Sequence, residues 1–172
     1  VVEAARRTQR SPLDLLQTAG AIDSPYQFHW RRFLFEQFPH GTGFPALAAP
    51  AIKDELPLAA VQAFSIDDSH TTEIDDALSV QGLGTGTVVF GIHIAAPGLA
   101  ITPDSPLDKV ARDRLSTVYM PGWKITMLPD EVVQAYTLAE GRACPALSLY
   151  VTLDEATLEV RGHETRLELV PI

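Results

Sequence analysis

Five carboxylates crowd into ten residues of the stretch "SIDDSHTTEIDDALSV": Asp67, Asp68, Glu73, Asp75 and Asp76. No lysine or arginine lies among them. Crowded anions repel, so the stretch costs stability unless cations bind there. Its flanks, "AFSI" and "ALSV", are apolar. They place it at the edge of a core and not in a solvated tail. The spacing constrains the backbone further. Asp67, Glu73 and Asp75 share parity and Asp76 has the other, so a straight strand would send Asp75 and Asp76 to opposite faces. Both face one ion only if a loop kinks before the next strand, and "DSHTTE" has the Ser/Thr-rich composition of such a loop.

Hard oxygen donors without cysteine suit Mg²⁺, Mn²⁺ or Ca²⁺. His70 could join them, but a lone loop histidine is more often a bystander and is set aside. The spacing is not that of an EF-hand, which needs a glycine at its sixth position and a glutamate at its twelfth. Read from the cluster alone, the stretch is a metal site, with or without phosphoryl chemistry, or else an acidic loop that is calcium-stabilised or merely solvated.

The rest of the chain reads as a helical module, a linker and an α+β domain. Residues 11–38 predict two helices. Ser11 and Ser24 are N-caps, each followed by proline, and Asp14 sits where a capping box needs it. Tyr26, Trp30, Phe33 and Leu34 make one apolar face, and Pro39 ends the second helix. The pair is a helical hairpin or part of a winged-helix-like module spanning 1–38. Arg31 and Arg32 could touch phosphates, but solvated helix charges are the commoner case. Residues 39–58 hold four prolines and two glycines and read as a linker. From residue 59 the signals turn to β. "VQAFSI" is one expected strand, and "ALSVQGL" with "TVVFGIHIA" forms a hairpin around "GTG". "SPLDKVARDRL" and "PDEVVQAYTLA" are helices, the first capped by Ser105. "ALSLYVTLD" and "ATLEVRGHETRLELV" complete a mainly antiparallel sheet.

Charge by itself argues against a nucleic-acid ligand. Of the net charge of −9 over 172 residues, residues 1–38 contribute +1 and residues 39–172 contribute −10. Binding phosphate backbones by charge alone needs a basic surface. Either nucleic acid is not the ligand, or metal ions and other segments supply the positive charge. No apolar run approaches the ~18–20 residues of a membrane-spanning helix. One cysteine, Cys144, excludes an internal disulfide and reads as a small buried hydrophobe. The chain starts at Val1 without a basic and apolar leader, and "TRLELVPI" is an apolar ending. Both ends are therefore expected to be cuts in a longer polypeptide.

"IDDSHTTEIDDAL" resembles the first signature of the ribonuclease II (RNB) family of 3′→5′ exoribonucleases, an Asp followed by carboxylates six, eight and nine residues later. Asp67, Glu73, Asp75 and Asp76 fall on those places. The following order is similar too: His93–Ala95, Pro103–Asp108, Val118–Pro121 and Met127–Pro129 match the family's later motifs. The resemblance covers roughly residues 60–170. "SPYQFHWRRFLFEQFP" is similar to the helical module ahead of the domain in some bacterial and cyanobacterial members. Two positions depart. Glu73 stands where the family usually has Asp, which moves its oxygens outward without changing its charge. Ala96 stands where Asp usually follows "HIA", which implies a packing change only.

The resemblance implies magnesium-assisted hydrolysis of single-stranded RNA to nucleoside 5′-monophosphates, processively from the 3′ end, with Mn²⁺ as the alternative ion. Asp67 and Asp76 would hold the main ion. Asp75 would hold a second ion or orient the water, and Glu73 would assist at the shell. Metal ions would also resolve the charge puzzle. Tyr119 in "STVYMPGW" sits where the family stacks a tyrosine on a nucleotide near the 3′ end; a core tyrosine with its hydroxyl tied down is the competing reading. Trp123 is expected to pack. The implied partners are the remainder of the RNB domain, with a phosphate-binding arginine, and an S1-type domain; no membrane is implied. Residues 59–172 would be the first part of the catalytic domain, inactive alone, in the cytoplasm or an organelle. The alternative is a degenerate RNB-like module that binds RNA or protein without cutting.

Overall fold

Serine hydroxyls set the start of three helices. In the computed structural model, which describes residues 1–68 and 70–172, Ser11, Ser24 and Ser105 stand in extended backbone. Each accepts the N–H three residues on, from Asp14, Gln27 and Asp108. Proline follows each cap and presets the first helical φ. The helices are α2 (Pro12–Thr18), α3 (Pro25–Gln37) and α4 (Pro106–Arg114). A further helix, α1 (Val2–Thr8), has no side-chain cap, which is why no start signal marks it in the sequence.

The chain divides into two units, Val1–Pro45 and Ala46–Ile172. The first holds α1, α2 and α3. Ala5 is its one buried residue among those described. Trp30 and Phe33 stack at 5.7 Å, and Phe38 lies 5.9 Å from Phe33. Arg31 pairs with Asp23 and Arg32 with Glu36, all exposed, which is the solvated arrangement. Among the described residues this unit has no strand, so the wing of a winged helix is not found in it.

The second unit is built on an antiparallel sheet of order β1-β2-β5-β6, formed by Asp76–Gln81, Thr87–Ala95, Ala143–Asp154 and Val160–Pro171. Alternation gives the sheet two different faces. One carries Ala77, Ser79, Gly91, His93, Ala146, Ser148, Tyr150 and Glu168, all buried. The other carries larger aliphatic groups, and Val80, Ile94, Leu147 and Leu167 on it are exposed. β6 is an edge strand. Its end is partly paired, since Ala59 N–H donates to the Leu169 carbonyl and Leu169 N–H to that of Pro57.

The segment "VQAFSI" does not form the expected strand. Its neighbourhood divides its pairing between two edges: Leu58 bridges Leu169 on β6, and Phe64 bridges Leu78 on β1. No continuous ladder can form between them. Ala59 and Ala63 instead dip into a core with Ala77, Leu138, Cys144, Ala146 and Val170. Cys144 is buried, as expected.

The stretch 39–58, read as a linker, is not uniform. Leu47, Ala49 and Ile52 pack on Leu107, Val132 and Tyr136, joining α4 to α5 (Asp130–Tyr136). The Tyr136 hydroxyl donates to the Pro50 carbonyl. Prolines suit this path because an extended chain packing side chains needs few ladder donors. A small hairpin, β3 (Val118–Met120) and β4 (Trp123–Ile125), stands apart from the main sheet. Its turn is Pro121–Gly122, with Gly122 at φ 76°, the positive φ that a type II turn requires.

Candidate active site

Backbone hydrogen bonds fix where the acidic stretch enters the main sheet. Ile74 is held twice at the end of α5: its N–H donates to Thr137 Oγ1 at 2.8 Å, and its carbonyl accepts from Leu138 N–H at 2.9 Å. The Asp75 carbonyl then accepts from Ala95 N–H at 2.8 Å, and Asp76 opens β1 opposite Ile94. That bond extends the β1–β2 register by one pair, Asp75 with Ala95, so the kink expected between Asp75 and Asp76 is not found there. Upstream, Thr71 N–H donates to the Asp68 carbonyl in a turn.

Asp67, Asp68, Asp75 and Asp76 are exposed, and Glu73 is half-buried. Asp75 lies at the centre of the repulsion. Its carboxyl is pushed above the usual range by desolvation first, then by the charges of Glu73, Asp76 and Asp67, with Lys124 opposing. Glu73 departs from the sequence reading, which found no cation for the stretch. Lys124 Nζ lies 2.8 Å from Glu73 Oε1 and also donates to Thr72 Oγ1 at 3.1 Å. Lys124 is 51 residues away in the chain, so no local pattern could have shown it. The longer glutamate side chain thus meets a lysine.

The full convergence expected of Asp67, Glu73, Asp75 and Asp76 is only partial. Among the described residues, no three His, Cys, Asp or Glu side chains stand close enough to enclose a metal ion on their own. Glu73 is engaged by Lys124, and Asp67, Asp75 and Asp76 remain in one another's field. That donor set fits Mg²⁺, which takes one or two carboxylates and fills its shell with water and substrate oxygens. It does not fit Ca²⁺ as well, because that ion asks for six to eight oxygen ligands.

Beside these carboxylates lies a cavity of about 410 Å³. Glu73 and Asp75 stand on its wall with Tyr119, while Ile94, Pro97, Met127, Val132 and Tyr136 give it an apolar lining. Tyr119, on β3, is 69% exposed, which removes the core-tyrosine reading. Partial burial, then the Glu73 charge and a hydrogen bond to that carboxylate push its phenol up, so it stays neutral. Trp123 is also exposed. His70 is exposed. No helix of the described residues is long and apolar enough to cross a membrane.

Comparison with known proteins places the chain among ribonuclease relatives by sequence. An uncharacterized ribonuclease of Synechocystis is 39% identical over 104 residues, covering 60% of this chain and 16% of the relative. Exoribonuclease 2 of Edwardsiella piscicida is 41% identical over 98 residues, covering 56% and 15%. The chain thus spans about a sixth of the length of these relatives. Among solved structures, yeast Ssd1, a pseudonuclease, superposes with a TM-score of 0.61 at 26% identity, covering 74% of this chain and 16% of that one. The RNB domain family model matches residues 56–168. That range takes in the acidic stretch, the β3–β4 hairpin and nearly all of the main sheet, and by it the chain belongs to the RNB family.

Proposed function

We propose that the protein is a 3′→5′ exoribonuclease that hydrolyses single-stranded RNA to nucleoside 5′-monophosphates with Mg²⁺ or Mn²⁺. The observation that carries this is the pairing of two features at one cavity: repelling carboxylates, of which Lys124 pairs with Glu73 alone, and an exposed tyrosine. Asp67 and Asp76 would hold the main ion. Asp75 would hold a second ion or orient the attacking water. A bound Mg²⁺ would lower the pKa of water and neutralise the phosphate. Glu73 keeps its charge at the shell while Lys124 restrains its side chain. Tyr119 offers a face on which any base can stack, a contact worth ~1–3 kcal/mol and indifferent to sequence. A phosphate-binding arginine from the rest of the RNB domain, an S1-type domain and a cytoplasmic location belong to the same proposal.

A second reading is an RNB-like module that binds RNA without cutting it. The Glu73–Lys124 pair favours it, because it occupies one of the four acidic positions, and the likeness to a pseudonuclease is compatible with it. The test is incubation of the full-length protein with single-stranded RNA labelled at its 5′ end, with Mg²⁺, Mn²⁺ or EDTA. The nuclease reading expects stepwise shortening from the 3′ end and release of nucleoside 5′-monophosphates, abolished by EDTA. Bound but uncut RNA in both metals would overturn it in favour of the binding module.

A further inference from the structure

The β3–β4 hairpin has only three residues in each strand and pairs with no other strand. An isolated two-stranded hairpin is marginal in water, so its position depends on ties to its surroundings. At its base, Arg114 Nη1 donates to the Thr126 carbonyl at 2.8 Å and Met127 N–H to Thr117 Oγ1 at 3.2 Å. Within the strands one tie is Lys124, and the Tyr119 hydroxyl also bonds to Glu73. Lys124 is the register partner of Tyr119, and its ammonium reaches out of the hairpin to Glu73 and Thr72 on the acidic stretch. The pair is partly sheltered, with Glu73 10% and Lys124 35% exposed in their side chains. Such a pair is less screened than a surface one. The cross-strand neighbour of the stacking ring is therefore fastened to the segment that carries the carboxylates.

We propose that Lys124 is a positioning residue for RNA: by fastening β4 to Glu73 and Thr72 it fixes the span between the Tyr119 ring and Asp75–Asp76. It thereby sets where a stacked base lies relative to the bond that is cut. The inference rests on the nuclease reading above and deepens it, since it assigns the site a fixed ruler for the 3′ end. A reaching mismatch of an ångström is enough to cost a reaction heavily when the geometry is preset.

Lys124 could instead act directly, by attracting phosphate, and the test must separate the two. The full-length protein is titrated in EDTA with a short fluorescent single-stranded RNA, using Tyr119→Ala, Lys124→Met, the double variant, Lys124→Arg and Glu73→Gln. Tyr119→Ala should lower affinity on the order of ten-fold. Positioning predicts that Lys124→Met loses a similar factor, that the double variant is little worse than either single one, and that Lys124→Arg restores most of it. Glu73→Gln should also weaken binding, because it unfastens the hairpin. Direct phosphate attraction predicts the opposite for Glu73→Gln, tighter binding, and additive losses in the double variant. In the Mg²⁺ assay, Lys124→Met should raise KM for short RNA far more than it lowers kcat on long RNA, and should lengthen the shortest product. Additive losses, tighter binding by Glu73→Gln, or an unchanged shortest product would overturn the inference while leaving the nuclease reading intact. A wild-type protein that binds but does not cut fails the nuclease reading, and the binding cycle still judges Lys124. A wild-type protein that does neither overturns both.

Discussion

The main sheet and the acidic stretch each gather ionisable groups, and they treat them in opposite ways. On the sheet, His93 is 0% and Glu168 2% exposed. Their polar atoms are satisfied. The two His93 ring nitrogens meet Ser79 Oγ at 2.9 Å and Ser148 Oγ at 2.7 Å, and the Tyr150 hydroxyl donates to Glu168 Oε1 at 2.6 Å. Two hydroxyls suit either tautomer of a neutral imidazole, because each can donate or accept. Burial holds the His93 imidazolium form down. Burial and then the Glu168 bond push the Tyr150 phenol up to about 12, so it remains a donor. Among the described residues no buried side-chain polar atom lacks a partner. In the acidic stretch the four aspartates are exposed, Asp75 feels the charges of Glu73, Asp76 and Asp67, and Lys124 pairs with Glu73 and only partly offsets the charge on Asp75. A scaffold satisfies its polar groups in the folded chain, whereas this stretch leaves its charge for something that binds.

The comparison breaks most visibly if charge is removed from the stretch. Asp76→Asn should lower RNA cleavage by the full-length protein on the order of 100-fold, the upper end of the loss when outer partners of a metal site are changed. RNA binding should be retained, because one anion fewer faces the phosphates. Stability should stay level or rise, since a repulsion is relieved. Cleavage rates and a thermal melt made on the same preparation check this. Near-normal turnover, or a large drop in melting temperature, would place Asp76 with the scaffold instead.

The reverse experiment is on the sheet. Gly91 sits opposite Ser79 and Tyr150 in the register, and a Cβ built on it would lie 2.3 Å from Ser79 Oγ and 2.8 Å from His93 Nε2. Neither neighbour is a free side-chain end, since the two are hydrogen-bonded to each other. Gly91→Ala should therefore cost about 2–4 kcal/mol, combining overpacking with a broken buried hydrogen bond. Urea unfolding would measure it. Activity per folded molecule should be unchanged, which separates it from Asp76→Asn.

Much of this division was legible in the chain. The sheet showed through the period of two in "ALSV" and "FGIHIA", which exists because each face has a different environment. The helix starts showed because Ser11, Ser24 and Ser105 are local devices. The acidic positions showed because spacing and family resemblance are properties of the sequence itself. What was missed depends on distance or brevity. Lys124 is placed beside Glu73 by the tertiary fold alone. The β3–β4 hairpin is too short to carry a period, although its Pro121–Gly122 turn is a readable signal. Leu47, Ala49 and Ile52 were hidden among prolines that look like a linker. Tyr119 could not be assigned to core or surface until its hairpin was seen to stand away from the sheet.

The smallest expected effect sharpens the comparison within the stretch itself. Desolvation and the charges of Glu73, Asp76 and Asp67 raise the Asp75 carboxyl in the folded chain. The unfolded chain keeps Glu73 and Asp76 beside Asp75 in sequence but hydrates and screens them and lacks the burial, so its carboxyl titrates close to the ordinary range, near pH ~4. The folded state thus holds a proton more readily than the unfolded one. By linkage, protonation of Asp75 stabilises the fold, fully so below the unfolded pKa, and that stabilisation is lost as pH rises through the folded pKa. At neutral pH the full repulsion is present. Asp75→Asn should then be more stable than wild type at pH 7 in EDTA, and the difference should shrink as the pH is lowered toward 4. The Asp75 carbonyl still accepts from Ala95 N–H in the variant, so the entry into β1 is kept. Urea midpoints for both proteins across this range give the measurement. A stability difference that widens on acidification would show that Asp75 is held by a favourable partner in the fold. It would then be a satisfied group like Glu168, and the contrast between the two regions would fail at its centre.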